Sequence, residues 1–192
     1  MGIDEFTDEA YEAFGSLLGA PGHKVPRAGS GHRYDPMNFA VIRILCRHPD
    51  LARTFMAFNN RQLFSSTLTT RQIELAVLRV AHRRQSPYEW NEHVKKANEA
   101  GISDAEIAAL IRGNEGFAGV DLLILEATDQ LLTRHQVDDA MYARLAAEFD
   151  DRQVIELLFL VGTYAMLAMV FESCGLQPPD GANALPPVPA GE

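Results

Sequence analysis

The amino-acid sequence predicts an all-α fold of about eight helices. No stretch of useful length alternates apolar and polar residues as a half-buried strand does. Instead, apolar residues recur at helical spacing, and N-cap residues, prolines and glycines separate the apolar segments. With 192 residues, of which 47% are apolar and 22% charged, the chain is large enough to bury a core without metal or disulfide support.

The first part of the chain is predicted to form an arm and two further helices. A short amphipathic helix spans about residues 8–18, and a Gly/Pro-rich loop follows it. Pro36 begins a helical pattern that Pro49 stops. Another helix then runs from Asp50 to about Phe64, with apolar residues at helical spacing.

Capping signals divide the rest of the chain into helices. Thr69 and Gln72 have the spacing of a capping box, as do Ser103 and Glu106. Between these boxes, Ser86 is followed by proline, which favours a helix start, and Gly101 is a helix-ending glycine. Further helices are predicted at about 120–134, 138–149 and 151–174.

The last predicted helix is apolar on nearly every side between residues 157 and 171. This run is shorter than the roughly 20 residues that a membrane span needs, so we expect no membrane partner. A helix that is apolar all round must be buried all round, which predicts a homo-oligomer. We therefore divide the chain into an arm (1–35), a helical domain (36–176) and a Pro/Gly-rich tail (177–192).

Charge and cysteine content narrow the function classes. The formal net charge is −9, and no basic stripe is available to neutralise phosphates, so no nucleic-acid partner is expected. The two cysteines, Cys46 and Cys174, form no CxxC, which excludes a dithiol redox motif and a cysteine zinc site. Both are predicted to be buried free thiols, which suit a reducing cytoplasm. The acidic N-terminus lacks the apolar region of a secretory signal.

The stretch from Glu74 to His93 holds the candidate catalytic residues, Glu74, Glu89 and His93. Glu74 lies among apolar neighbours, and burial raises the pKa of a carboxylate, which suits an acid or base. Glu89 and His93 lie four residues apart on one helix face. Two carboxylates and an imidazole would thus converge where two helices meet, which is an arrangement suited to proton transfer.

Each of these residues also has a structural alternative. Glu74 can pair with Arg71 or Arg79 at the edge of the apolar stripe. Glu89 falls at the N3 position after Ser86 and can complete a capping box. A metal site at Glu89 and His93 needs more ligands, and no metal-ligand spacing is present, so no metal is expected.

Three further residues are candidates for substrate binding. Tyr88 and Trp90 flank Glu89 and are either packing residues or part of the substrate site. Arg43 shares a helix face with Arg47, and the two arginines either hold a substrate carboxylate or form a solvated face.

Several segments resemble the carboxymuconolactone decarboxylase family, which includes the alkylhydroperoxidase D-like proteins. The resemblance rests on the order of helices, the run from Thr69 to Gly101, the linker at 101–107 and the late Val161-Gly162-Thr163-Tyr164 segment. It covers roughly Pro36 to Leu176 and is most specific between Glu74 and His93. It implies an alkylhydroperoxidase D-like helical bundle that assembles as a trimer or hexamer, with a dimer as the alternative.

The resemblance also bears on the chemistry. Where peroxidase members have a CxxC, this chain has Ser86 and Glu89, which form neither a disulfide nor a sulfenate. The decarboxylase branch needs no thiol and implies a cofactor-free lyase or isomerase acting on a small lactone or carboxylic acid. Glu89 and His93 would move protons while Glu74 orients His93. The alternative is a non-catalytic oligomeric binding or accessory protein of the same fold.

Overall fold

A computed structural model of the protein describes residues 1–182 and 184–188 and confirms the all-α fold. These residues form nine α-helices and no strand. The chain divides into two compact units, Met1–Ser66 and Thr67–Glu192. The predicted arm, helical domain and tail stay predictions. Residues 183 and 189–192 of the predicted tail lie outside the described residues.

The first unit contains α1 (Asp8–Leu18), α2 (Ala40–Leu45) and α3 (Pro49–Phe64), and α1 packs along α3. The continuous helix expected from Pro36 is interrupted. Asp35 accepts a hydrogen bond from the Met37 amide and holds a short 3-10 turn, after which Phe39 is extended. The Phe39 ring packs on Phe14, with ring centroids 5.8 Å apart, and α2 begins only beyond it.

The second unit is built around one central helix. Its helices are α4 (Thr70–Arg83), α5 (Pro87–Glu99), α6 (Asp104–Arg112), α7 (Gly119–Arg134), α8 (Asp139–Glu148) and α9 (Asp151–Ser173). Helix α4 packs against α5, α7 and α9, and every residue from Glu74 to His82 is buried. Polar groups on α4 therefore lie inside the unit, where they need partners to offset the loss of water.

Two capping boxes predicted from the sequence are confirmed. Thr69 accepts a hydrogen bond from the Gln72 amide while the Gln72 side chain accepts one from the Thr69 amide. Ser103 and Glu106 make the same reciprocal pair at the start of α6.

We expect Thr69→Ala to lower the free energy of unfolding by about 1 kcal/mol, because it leaves an amide at the start of α4 without its acceptor. Equilibrium urea unfolding measures this change. Thr54→Ala, at an exposed position inside α3, is the control and should change stability by less than about 0.5 kcal/mol. Equal losses in the two variants would contradict a capping role for Thr69.

Helix α9 combines a buried face with an exposed apolar face. Ile155, Phe159, Met166 and Met169 are between 40% and 62% exposed. In the described part of the chain, α9 alone has the length and hydropathy of a membrane-spanning helix, and half of its most apolar window is buried inside the fold. Core helices of soluble proteins have the same properties, so this observation is weak evidence for a span.

The described part of the C-terminal tail folds back onto the second unit. The side-chain amide of Gln85, in the turn between α4 and α5, donates a hydrogen bond to the Pro186 carbonyl at 3.2 Å. Leu185 packs against the core of this unit. The tail therefore makes contacts close to the start of α5.

Candidate functional site

A buried ion-pair geometry joins α4 to α5. The Nδ1 atom of His93 lies 2.7 Å from Oε2 of Glu74, and both residues are 5% exposed. The alternative pairing of Glu74 with Arg71 or Arg79 is wrong. Both arginines are engaged by carboxylates of other helices, Arg71 by Glu106 and Asp121 and Arg79 by Asp129.

The protonation of His93 follows from its burial. Burial lowers the pKa of His93, because the charged ring loses its water, and the hydrogen bond to Glu74 acts in the opposite direction. In the neutral ring, Nδ1–H donates to the Glu74 carboxylate and Nε2 carries a lone pair. Among the described residues, the hydrogen bond of Nδ1 to Glu74 is the one that the His93 ring makes. Nε2 is therefore available as a base.

Glu89 is a buried acid without a hydrogen-bond partner. The residue is 2% exposed, and neither carboxyl oxygen has a partner in the described part of the chain. Burial raises the pKa of Glu89 to about 8; the Ser86 hydroxyl opposes this rise and Glu172 adds to it. Ser86 lies close enough to act on the carboxyl but does not reach hydrogen-bond geometry. At neutral pH Glu89 is therefore mainly a protonated carboxylic acid.

The capping interpretation of Glu89 is wrong. Ser86 is the N-cap residue of α5 and proline follows it, but the Ser86 side chain makes no capping hydrogen bond. The Ser86 amide donates instead to the Ala81 carbonyl at 2.9 Å, because the chain turns tightly after α4 with Gln85 in the left-handed region. The Ser86 amide therefore has an acceptor already, and Glu89 has no capping role to explain its burial.

Tyr164 on α9 belongs to the same site, although the sequence did not single it out as a site residue. Its ring stands perpendicular to that of His93, with centroids 5.0 Å apart, and the residue is 5% exposed. Burial raises the pKa of the Tyr164 phenol above its usual range, and the charges of Glu74 and Glu89 raise it further. A phenol within an otherwise apolar helix is the sequence signal that could have pointed to it, since buried tyrosine hydroxyls seek polar partners.

The predicted substrate-binding residues have diverse surroundings. Tyr88 is half-buried, with its ring edge against Phe171 at a centroid distance of 5.4 Å. Trp90 is 3% exposed and packs in the core of the second unit. Arg43 lies in the first unit, where its Nε donates to the Met1 carbonyl at 3.0 Å. A substrate-binding role for these three residues stays a prediction.

The two cysteines are free and differ in exposure. Cys46 is buried, and burial raises the pKa of its thiol to about 11. Cys174 is exposed, so the expectation that both thiols are buried is wrong. The reason is that Cys174 lies at the C-cap of α9, beyond the buried part of that helix. Within the described ranges, no three His, Cys, Asp or Glu residues come together as a metal site.

Comparison with known proteins identifies the segment that carries this site. The model of the carboxymuconolactone decarboxylase family matches residues 49–130, from the start of α3 into α7, and this range includes Glu74, Glu89 and His93. No curated protein matches the chain. The resemblance inferred from the sequence is thereby confirmed over residues 49–130, which match the carboxymuconolactone decarboxylase family and contain no CxxC motif.

Proposed function

We propose that this protein is a cofactor-free lyase or isomerase that uses acid–base chemistry on a small lactone or carboxylic acid. The observation that carries the proposal is the state of Glu89, a buried acid without a hydrogen-bond partner. It lies one helical turn from His93, whose ring Glu74 orients. Protonated acids and neutral bases that are close together and buried are typical of proton-transfer sites.

Each residue has a defined role in the proposed reaction. Nε2 of His93 removes a proton from the carbon next to a carbonyl, and the C–H electron pair forms the double bond of an enol. Glu89 donates its proton to the carbonyl oxygen. Glu74 stabilises the imidazolium that forms. The imidazolium then returns its proton to another carbon while Glu89 takes its proton back from the enol oxygen, which completes an isomerisation. In a lyase reaction, the C–C bond to a carboxylate breaks instead of the C–H bond, carbon dioxide leaves and the electron pair of the broken bond forms the enol, whose oxygen takes the proton of Glu89. Nε2 of His93 then accepts the enol O–H proton and delivers it to the carbon, and Glu89 regains a proton from solvent.

We expect Glu89→Gln and His93→Ala each to lower turnover by about 10²- to 10⁴-fold, because each removes one of the two proton-transfer groups. The assay is a panel of unsaturated lactones and 3-oxo acids, followed by ultraviolet absorbance and carbon dioxide release. Glu99→Gln, the same chemical change at an exposed position of α5, is the matched control. Circular dichroism checks that all variants remain folded, and normal turnover in both site variants would remove the proposal.

The other two functions have less support. The main support for the non-catalytic alternative was a capping role for Ser86 and Glu89, and the Ser86 side chain makes no capping hydrogen bond. Thiol peroxidase activity is least favoured, because there is no CxxC and the pKa of the buried Cys46 thiol is raised. The free cysteines favour a reducing cytoplasm, which we propose as the location of the protein.

We further propose that the exposed face of α9 pairs with another copy of the chain. Ile155, Phe159, Gly162, Met166 and Met169 follow one another at spacings of four and three residues, which is the pattern of a helix–helix seam. A groove of about 790 Å³ lies beside this stripe. Its lining includes apolar side chains of α7 and α9 together with Arg84, His135 and Gln136. Large exposed apolar patches of this kind mark interaction surfaces.

We expect Met169→Glu to dissociate the assembly, because it places a charge in a desolvated seam. Analytical ultracentrifugation at micromolar concentration measures the change in mass. Tyr142→Glu, at a 48% exposed position on α8, is the control and should leave the assembly intact. A wild-type protein that sediments as a monomer at this concentration would contradict the proposal.

A further inference from the structure

The charges around the site in the second unit are predominantly negative. Glu74 contacts His93 directly, and Glu92 and Glu172 act on His93 and Glu89 respectively. The one basic residue among the charges that act on these two groups is Lys96, which is exposed on α5. The nearby arginines of α4 are paired with carboxylates outside the site.

The polar groups of the site, apart from the Glu74 carboxylate, are mostly hydrogen-bond donors. A protonated Glu89 carries one O–H donor, and neither of its oxygens has a partner among the described residues. The Tyr164 phenol, whose pKa is raised, remains a second O–H donor and lies near both carboxyl groups. His93 offers a lone pair on Nε2. Two O–H donors match a carbonyl oxygen, and the lone pair of His93 matches an acidic C–H bond next to that carbonyl.

A carboxylate ligand would be repelled by the negative charges of the site. Its charge would enter a buried region beside the Glu74 carboxylate, where electrostatic repulsion is strong because water is excluded. None of the charged residues that act on Glu89 and His93 is a buried cation, so the charge of a bound carboxylate would not be compensated. Sites that bind carboxylates do so with arginine or lysine side chains or with arrays of amide groups.

We propose that the site binds an uncharged carbonyl compound, whose carbonyl oxygen accepts a hydrogen bond from Glu89, and that it discriminates against carboxylates. The inference rests on the proposed function and narrows it. Of the two substrate classes, it selects the uncharged lactone over the free acid, and therefore isomerisation over loss of a carboxylate. Tyr164 is the second donor to the same oxygen.

A matched pair of probes tests this discrimination. One probe is a butenolide with an acetic acid side chain, and the other is the primary amide of the same molecule, which has nearly the same shape without the charge. Trp90 is the single tryptophan of the chain and follows Glu89 directly, so its fluorescence reports binding. At pH 7 we expect the amide to bind at least about tenfold more tightly than the carboxylate, as expected for like charges in a buried site.

Two variants test which residues cause the discrimination. Glu74→Gln removes the buried negative charge and should reduce the preference for the amide. Glu89→Gln keeps a hydrogen-bond donor at every pH, so its affinity for the amide should stay constant from pH 6 to 9.5. The wild type should lose affinity above pH 8, when Glu89, on which the charge of Glu172 acts, becomes ionised. Glu99→Gln should follow the wild type.

The outcomes separate this inference from the proposed function. Equal or tighter binding of the carboxylate, or no binding of the amide at millimolar concentration, would overturn the inference. So would an affinity of Glu89→Gln for the amide that falls with pH as the wild type does. Preference for the amide together with unchanged turnover in Glu89→Gln and His93→Ala would support the inference and remove the proposed chemistry.

Discussion

Between pH 4.5 and 8, the wild-type protein is expected to lose stability relative to Glu89→Gln by about 5 kcal/mol. The pKa of Glu89 rises from 4.5 to about 8 on folding. In this range the unfolded chain has released the proton that the native protein keeps, so each pH unit destabilises the native state by about 1.4 kcal/mol. Below pH 4.5 both states hold the proton, and above pH 8 both release it, so the difference is constant outside this range.

Urea unfolding of the two proteins at half-unit pH steps measures this difference. Other titrating groups contribute equally to both proteins and cancel in the comparison. Glu99→Gln, with an exposed carboxyl group in the native protein, should give a curve parallel to that of the wild type. Parallel curves for wild type and Glu89→Gln would mean that Glu89 ionises normally in the native protein.

Glu74→Gln is expected to lower turnover by about 10²- to 10⁴-fold. The glutamine carbonyl can still accept a hydrogen bond from His93 Nδ1–H, so the ring keeps its orientation. The amide carries no charge, however, and no longer stabilises the imidazolium that forms when His93 accepts a proton. In serine protease triads, replacing the aspartate that accepts the hydrogen bond of the histidine lowers turnover by about 10⁴-fold.

The pKa of His93 provides a second measurement on this variant. Glu74 raises the pKa of His93 against the effect of burial, so its removal should lower that pKa further, as followed by NMR of the imidazole carbons. Glu92→Gln is a control, because Glu92 is exposed and acts on His93 without contact. Unchanged turnover and an unchanged His93 pKa in Glu74→Gln would show that the 2.7 Å contact has no role in the chemistry.

Most of the fold was predictable because its signals are local. The capping boxes at Thr69 and Ser103 involve residues three positions apart, and both form as the spacing predicts. Helix ends at prolines and glycines are also set by neighbouring residues. The break after Pro36 was missed because it depends on the packing of Phe39 against Phe14, which are distant in sequence.

The site was only partly predictable because its partners come from three helices. The sequence predicted that Glu74, Glu89 and His93 belong together, but it left open whether Glu74 faces a histidine or an arginine. The spacing of Ser86 and Glu89 favoured a capping box. The Ser86 amide donates to the Ala81 carbonyl instead and is therefore not left for the Glu89 side chain. Tyr164 follows His93 by more than seventy positions, and only the packing of α9 brings the two rings together.

The protonation state of Glu89 can be measured directly by carbon NMR of protein with ¹³C-labelled glutamate side chains. The carboxyl carbon of Glu89, assigned by its absence from Glu89→Gln, is followed from pH 4 to 10. We expect this resonance to titrate with a midpoint near 8, as for a buried acid without a partner. A midpoint near 4.5 would mean that Glu89 is an ordinary carboxylate at neutral pH and does not act as the proton donor.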